Sequence, residues 1–197
     1  IVMAFGRIPV VLFLKYEPKD VIITIGGFIY GPVSAFLISL IVSFVEMLTV
    51  SDTGIIGFVM NVLSTCAFAC PASYIYKRKR TLKGAIIGLV TGCISMTSVM
   101  LLWNYLLTPL YLGYPREAVV KLILPAFLPF NLLKSSLNAA ITMLLYKPVV
   151  TTLRKSNLVP ESDQSSQSTK INVGVMLASL FVLFTCILIV LALNGYI

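Results

Sequence analysis

Asn131 and Lys134 stand three residues apart inside an apolar run that extends from about Leu122 to Tyr146. A lysine near mid-bilayer costs several kcal/mol even on lenient insertion scales, so it is expected to face a protein cavity and hold something there. The pattern continues to Asn138, because positions 131, 134 and 138 follow the i, i+3, i+7 spacing of one helix face. Lysine offers three donors, and each asparagine offers two donors and an acceptor. That set suits a ligand rich in carbonyls, ring nitrogens or hydroxyls. Asn104, in LLWNYLLTPLY, and Asn61, in GFVMNVLS, are two further inward amide candidates. The competing reading is that intramembrane amides only bond helices together. In that reading Lys134 pairs with Glu46, the other charged group within the apolar spans.

These residues need a membrane bundle to position them. The chain has 197 residues, 58% hydrophobic and only 11% charged, against roughly 25% charged in soluble domains. Its mean hydropathy is +0.99. At roughly 20 apolar residues per crossing, there is material for about five or six transmembrane helices packed as one all-α bundle. Residues 1–6 read as the tail of a first helix that begins upstream, and Arg7 to Asp20 as a loop outside the membrane. Val21 to Tyr30 is too short for a full span and is closed by Gly31-Pro32, a strong helix breaker. Full spans are expected at about 33–50, 55–76, 85–107 and 122–146, with a polar and aromatic loop over 109–121. Residues 1–150 thus form the binding bundle. A Ser/Gln-rich linker covers 151–170 and an additional apolar helix occupies 171–197.

The formal charge of +8 does not point to nucleic acid, because much of the excess sits in two short clusters between apolar runs. One comprises Lys77, Arg78, Lys79, Arg80 and Lys83, the other Lys147, Arg154 and Lys155. Threading the spans in alternating directions brings both clusters to one side of the cell membrane. By the positive-inside rule, loops 77–83 and 147–155 are then cytoplasmic, and segments 7–20, 50–54 and 108–121 lie outside. The cysteines at 66, 70, 93 and 186 fall in apolar stretches and read as packing residues. With no histidine in the chain, no metal site is expected. The sequence carries no phosphate-binding loop and no Ser–His–Asp set. Any energy source must therefore come from another protein, and an embedded enzyme would lack its usual polar equipment.

Four segments, in order, carry a family resemblance: FLKYEPKD at 13–20 with its flanks, FIYGPVSA at 28–35, WNYLLTPLYLG at 103–113 and LPFNLLKSSLN at 128–138. Together they resemble the riboflavin-specific, substrate-binding S components of energy-coupling factor (ECF) vitamin transporters, over residues 8–155. The resemblance implies a six-helix S-component core, here with its first helix truncated, plus the extra C-terminal helix. It implies riboflavin as transported ligand and no cofactor. Asn131, Lys134 and Asn104 would be its contacts, with Phe13, Leu14 and Lys15 in a segment that closes over it. It also implies partners: a transmembrane coupling subunit and two ABC-type ATPase subunits in the lipid bilayer. An S component for another vitamin or for a flavin nucleotide would keep the fold and change the ligand.

Overall fold

The computed structural model describes residues 8–11, 14–49, 54–113, 115–155 and 173–193. The apolar residues expected to end a first helix, 1–6, lie outside the described residues, as do Phe13 and most of the linker.

The segment expected as an outer loop forms a small hairpin. Strand β1 (Ile8–Val11) pairs antiparallel with β2 (Leu14–Tyr16), matching Ile8 to Tyr16, Pro9 to Lys15 and Val11 to Leu14. The register breaks between Pro9 and Val11, where proline has no N–H for a ladder bond. Helix α1 (Lys19–Tyr30) follows at once, so Asp20 enters its first turn, the end of a helix that favours a carboxylate. At 12 residues, α1 is about 18 Å long, well short of the roughly 30 Å hydrocarbon layer. It stops at Gly31, whose φ of 103° is a conformation that glycine adopts without strain.

Four further elements build the rest of the bundle: α2 (Pro32–Thr49), α3 (Gly54–Lys79), α4 (Leu82–Leu112) and a composite last span. That span begins as α5 (Arg116–Leu122), widens to a π-turn over Ile123–Phe127 and continues as α6 (Leu128–Lys155). Its two early prolines, Pro125 and Pro129, supply no backbone donors. The chain responds with a wider turn in which Leu128 N–H bonds Ile123 O five residues back. Together with α7 (Val173–Leu193), five segments are long and apolar enough to cross a membrane.

Helices in lipid gain little from hydrophobic burial and associate by close packing instead. Gly88 and Gly92, one turn apart on α4, show this against α3. A methyl group placed on them would sit 2.7 Å from Ala72 O and 2.6 Å from Phe68 O, respectively. The reverse pattern holds outside, where α2 exposes Val33, Phe36, Leu37, Ile41 and Leu48 as an apolar face suited to acyl chains. At one end, Phe28 stacks on Tyr76 with ring centroids 4.5 Å apart, and both meet Tyr146 edge-on. This contact brings the ends of α1, α3 and α6 together, so the basic stretches beginning at Lys77 and Lys147 leave the bundle at the same end.

The extra helix is packed on the bundle. Leu183, Cys186 and Val190 of α7 join Phe130, Leu133 and Leu137 of α6 around the ring of Tyr16.

Candidate functional site

Lys134 lies twelve residues before Tyr146 on α6, placing it about 18 Å from the aromatic end of the bundle and therefore near mid-membrane. It is 7% exposed, and Asn138, one turn on, is fully buried. Facing both is Asp20, also fully buried. The carboxylate is a hub: Oδ1 accepts from Thr65 Oγ1 at 2.6 Å, and Oδ2 accepts from Asn138 Nδ2 at 3.2 Å. Oδ2 also lies 3.4 Å from Lys134 Nζ. The same ammonium reaches Ser64 Oγ at 3.5 Å. Charge-assisted N–H···O bonds normally run about 2.7–2.9 Å. Both Lys134 contacts are long, so the ammonium is neutralised but loosely held, with donor capacity left over.

Both ends of the Asn138 amide are engaged, because its Oδ1 accepts from Tyr16 OH at 3.0 Å. Burial, together with the nearby Asp20 charge, pushes the Tyr16 phenol above its ordinary pKa, so it stays a protonated donor. Asn131 and Asn104 turn to their own helices. Asn131, 2% exposed, donates through Nδ2 to Phe127 O, the backbone carbonyl four residues back, at 2.7 Å. Asn104 donates to Met100 O at 2.7 Å and accepts from Thr108 Oγ1 at 3.0 Å.

Helices α4 and α6 are in register where Cys93 Sγ meets Ser135 O at 3.4 Å. Counting 1.5 Å per residue from there, Asn104 sits roughly 10 Å farther than Asn131 from the Phe28–Tyr76–Tyr146 end of the bundle. A single ligand touching both must be long. Thr97 Oγ1, level with Asn131, and Trp103 Nε1, beside Asn104, are buried without a partner among the described residues.

The pair named by the competing reading is not formed, and one sequence expectation is corrected. Lys134 is not paired with Glu46. That carboxylate, fully buried on α2, bonds Lys19 Nζ instead and accepts from Asn61 Nδ2 at 3.0 Å. Lys19 also meets Glu17 at 2.7 Å. Asn61 thus belongs to this second ion centre and not to the Lys134 face. The physical reason is the hairpin: it leads directly into α1 and carries Lys19 and Asp20, expected in an outer loop, into the bundle. The interior also holds more charge than Glu46 and Lys134 alone, since Lys19 is 4% exposed and Asp20 fully enclosed.

Among the residues named from sequence, the structure brings Lys134 and Asn138 together, sets Asn131 a turn away on the same helix and holds Asn104 on α4 at a different depth. Leu14 and Lys15 lie in β2, where only the backbone is described, and Phe13 lies outside the described residues. Sequence reading placed Asp20 only at the end of an outer loop, before the short helix, and missed Tyr16, Thr65 and Ser64. The one available signal was an acid standing beside the start of an apolar helix.

The bundle and its sequence are similar to known proteins. Residues 1–146 match the family described as ECF transporter, substrate-specific component. The chain belongs to that family. A solved structure of the S component of a bacterial ECF transporter superposes with a TM-score of 0.64 at 28% identity, covering 78% of this chain and 89% of that one. The riboflavin transporter RibU of Staphylococcus aureus (strain TCH60) is 29% identical over 164 residues, spanning 78% of this chain and 86% of that protein. The riboflavin transporter FmnP of Bacillus subtilis (strain 168) is 25% identical over 158 residues, with 74% and 83% covered. The fold is therefore an S-component core with an additional C-terminal helix. Membership in a transporter family also sets aside the embedded enzyme that composition alone left open: this substrate-specific component is a multi-pass transport subunit.

Proposed function

We propose that this S component captures riboflavin from the outer face of the cell membrane and delivers it through an ATP-driven transporter. Residues 1–150 form the binding bundle, 151–170 a cytoplasmic linker and 171–197 an added anchor. Loops 77–83 and 147–155 face the cytoplasm, as their charge favours. The partners are a transmembrane coupling subunit and two ATP-hydrolysing subunits.

The observation that carries the reading is the loosely held Lys134 ammonium, deep in a chain whose relatives are named riboflavin transporters. Riboflavin matches the chemistry, because its long tricyclic ring is flat and apolar across its faces and rich in acceptors at one edge. Lys134 and Asn131 donate to that edge. Asn104, nearer the outside, meets another part of the molecule, and the segment of Phe13, Leu14 and Lys15 closes over it. Asn138 supports the site by orienting Asp20. A buried polar edge left unpaired costs about 1–3 kcal/mol per group, which gives the site its selectivity against molecules of other shape and polarity.

The test is a fluorescence titration of purified protein with riboflavin, whose emission falls when the ring is enclosed beside aromatic side chains. Saturable quenching at one flavin per chain, together with yellow absorbance near 450 nm in protein from flavin-fed cells, is the expected result. Competition with flavin mononucleotide, thiamine, biotin and folate identifies the ligand. Tighter binding of any of these than of riboflavin overturns the assignment.

A further inference from the structure

The ring of Tyr16 lies in an apolar slot with Phe130, Leu133 and Leu137 of α6 and Cys186 of α7. A phenylalanine would fill such a slot equally well. The hydroxyl is therefore the informative part, and it donates to Asn138 Oδ1 across 122 residues of sequence. A buried tyrosine hydroxyl needs a partner. Here the bond also fixes which way the partner points. With Oδ1 held by Tyr16, the Asn138 amide presents Nδ2 to Asp20 Oδ2, while Thr65 pins Oδ1 of the same carboxylate. Both supports together aim the remaining lone pairs of Asp20 at Lys134 Nζ. Without the Tyr16 hydroxyl, Asn138 is free to turn its amide. A turned amide would set its oxygen against the Asp20 carboxylate, or offer that oxygen to the Lys134 ammonium and draw it aside.

We propose that Tyr16 is a positioning residue for cargo binding: through Asn138 and Asp20 it sets where the Lys134 ammonium points, and so couples the seating of the 8–16 hairpin to the grip on a ligand at Lys134. Such coupling is reciprocal. A ligand that engages Lys134 changes the pull on Asp20 and Asn138, and a hairpin that lifts Tyr16 away loosens the ammonium. The inference rests on Lys134 being a ligand contact, as proposed above, but its structural half can be read without any ligand.

The experiment uses the full chain in nanodiscs as wild type, Tyr16→Phe, Lys134→Gln and the double variant. Tyr16→Phe keeps the ring in its slot, and a thermal midpoint within a few degrees of wild type confirms the fold. Loss of one bond in the relay is expected to weaken riboflavin binding about tenfold. The double variant is expected to bind no more weakly than Lys134→Gln alone, because the relay acts only through Lys134. Losses that multiply, or a Tyr16→Phe affinity within about twofold of wild type, overturn the proposal. In the ligand-free arm, Lys134→Gln is expected to raise amide hydrogen exchange in residues 8–16 about tenfold, with α4 unchanged. Unchanged hairpin exchange overturns the coupling. Failure of wild type to bind riboflavin overturns the ligand assignment alone, since the exchange arm still decides the relay.

Discussion

Lys19 and Lys134 are both lysines enclosed among helices of a membrane bundle, and each stands beside a fully buried acid. Their surroundings differ. Lys19 is gripped by Glu46 and Glu17, and Glu46 is bonded in turn by Asn61, so α1, α2 and α3 are cross-linked by one tight centre. Among the described residues Lys134 has contacts of 3.4 and 3.5 Å, while the tighter bonds around it belong to Asp20 and Asn138. Burial and charge are the same in the two places; saturation is not. A saturated ion pair has little left to offer a ligand and serves architecture. An unsaturated ammonium, held in place by a well-bonded counter-ion, can exchange part of its contact for a cargo's acceptor at little cost.

This contrast separates the two lysines by readout. Lys19→Ala removes the cation from the fully buried Glu46, and breaking such a pair is expected to cost about 3–5 kcal/mol of stability. Thermal unfolding in detergent checks this, with flavin affinity of the surviving folded protein changed far less. Lys134→Gln is expected to do the opposite, weakening riboflavin affinity about 100-fold, or about 2.7 kcal/mol, with a smaller shift in the melting midpoint because Thr65 and Asn138 still serve Asp20. Equal effects of both substitutions on both readouts would erase the distinction.

Smaller changes sharpen it. Asn131→Ala removes one donor facing the proposed ligand and is expected to lower affinity by about tenfold, seen in the same titration. Asn61→Ala removes the amide supporting Glu46 and is expected to lower stability by about 1 kcal/mol without affecting flavin binding. A clear affinity loss in Asn61→Ala would move that residue back to the ligand site, where its sequence context first placed it.

The break at Gly31-Pro32, the spans and the polar face 131, 134 and 138 were all legible in sequence, because each rests on local rules of period, length and backbone chemistry. Span ends were read less well. Helix α4 continues through Pro109 to Leu112 and α6 through Pro148 to Lys155, where neighbouring structure carries a helix past a residue that locally breaks it. The hairpin at 8–16 was hidden for a related reason: with Pro9 and Pro18 in a short mixed segment, it shows no alternation strong enough to mark a strand.

The site divides along the same line. Composition and helical period by themselves determined that an amine and two amides lie on one face within the bilayer, since burying a charge there is too costly to be incidental. Which acid answers that amine was settled only in three dimensions. Asp20 is 114 positions away from Lys134 along the chain, and Glu46 was as good a candidate by type. What decides between them is the short α1, started directly by the hairpin, which delivers Asp20 to Lys134 and leaves Glu46 to Lys19. Pairing between distant charges depends on the relative depth and rotation of packed helices, and no local pattern encodes either.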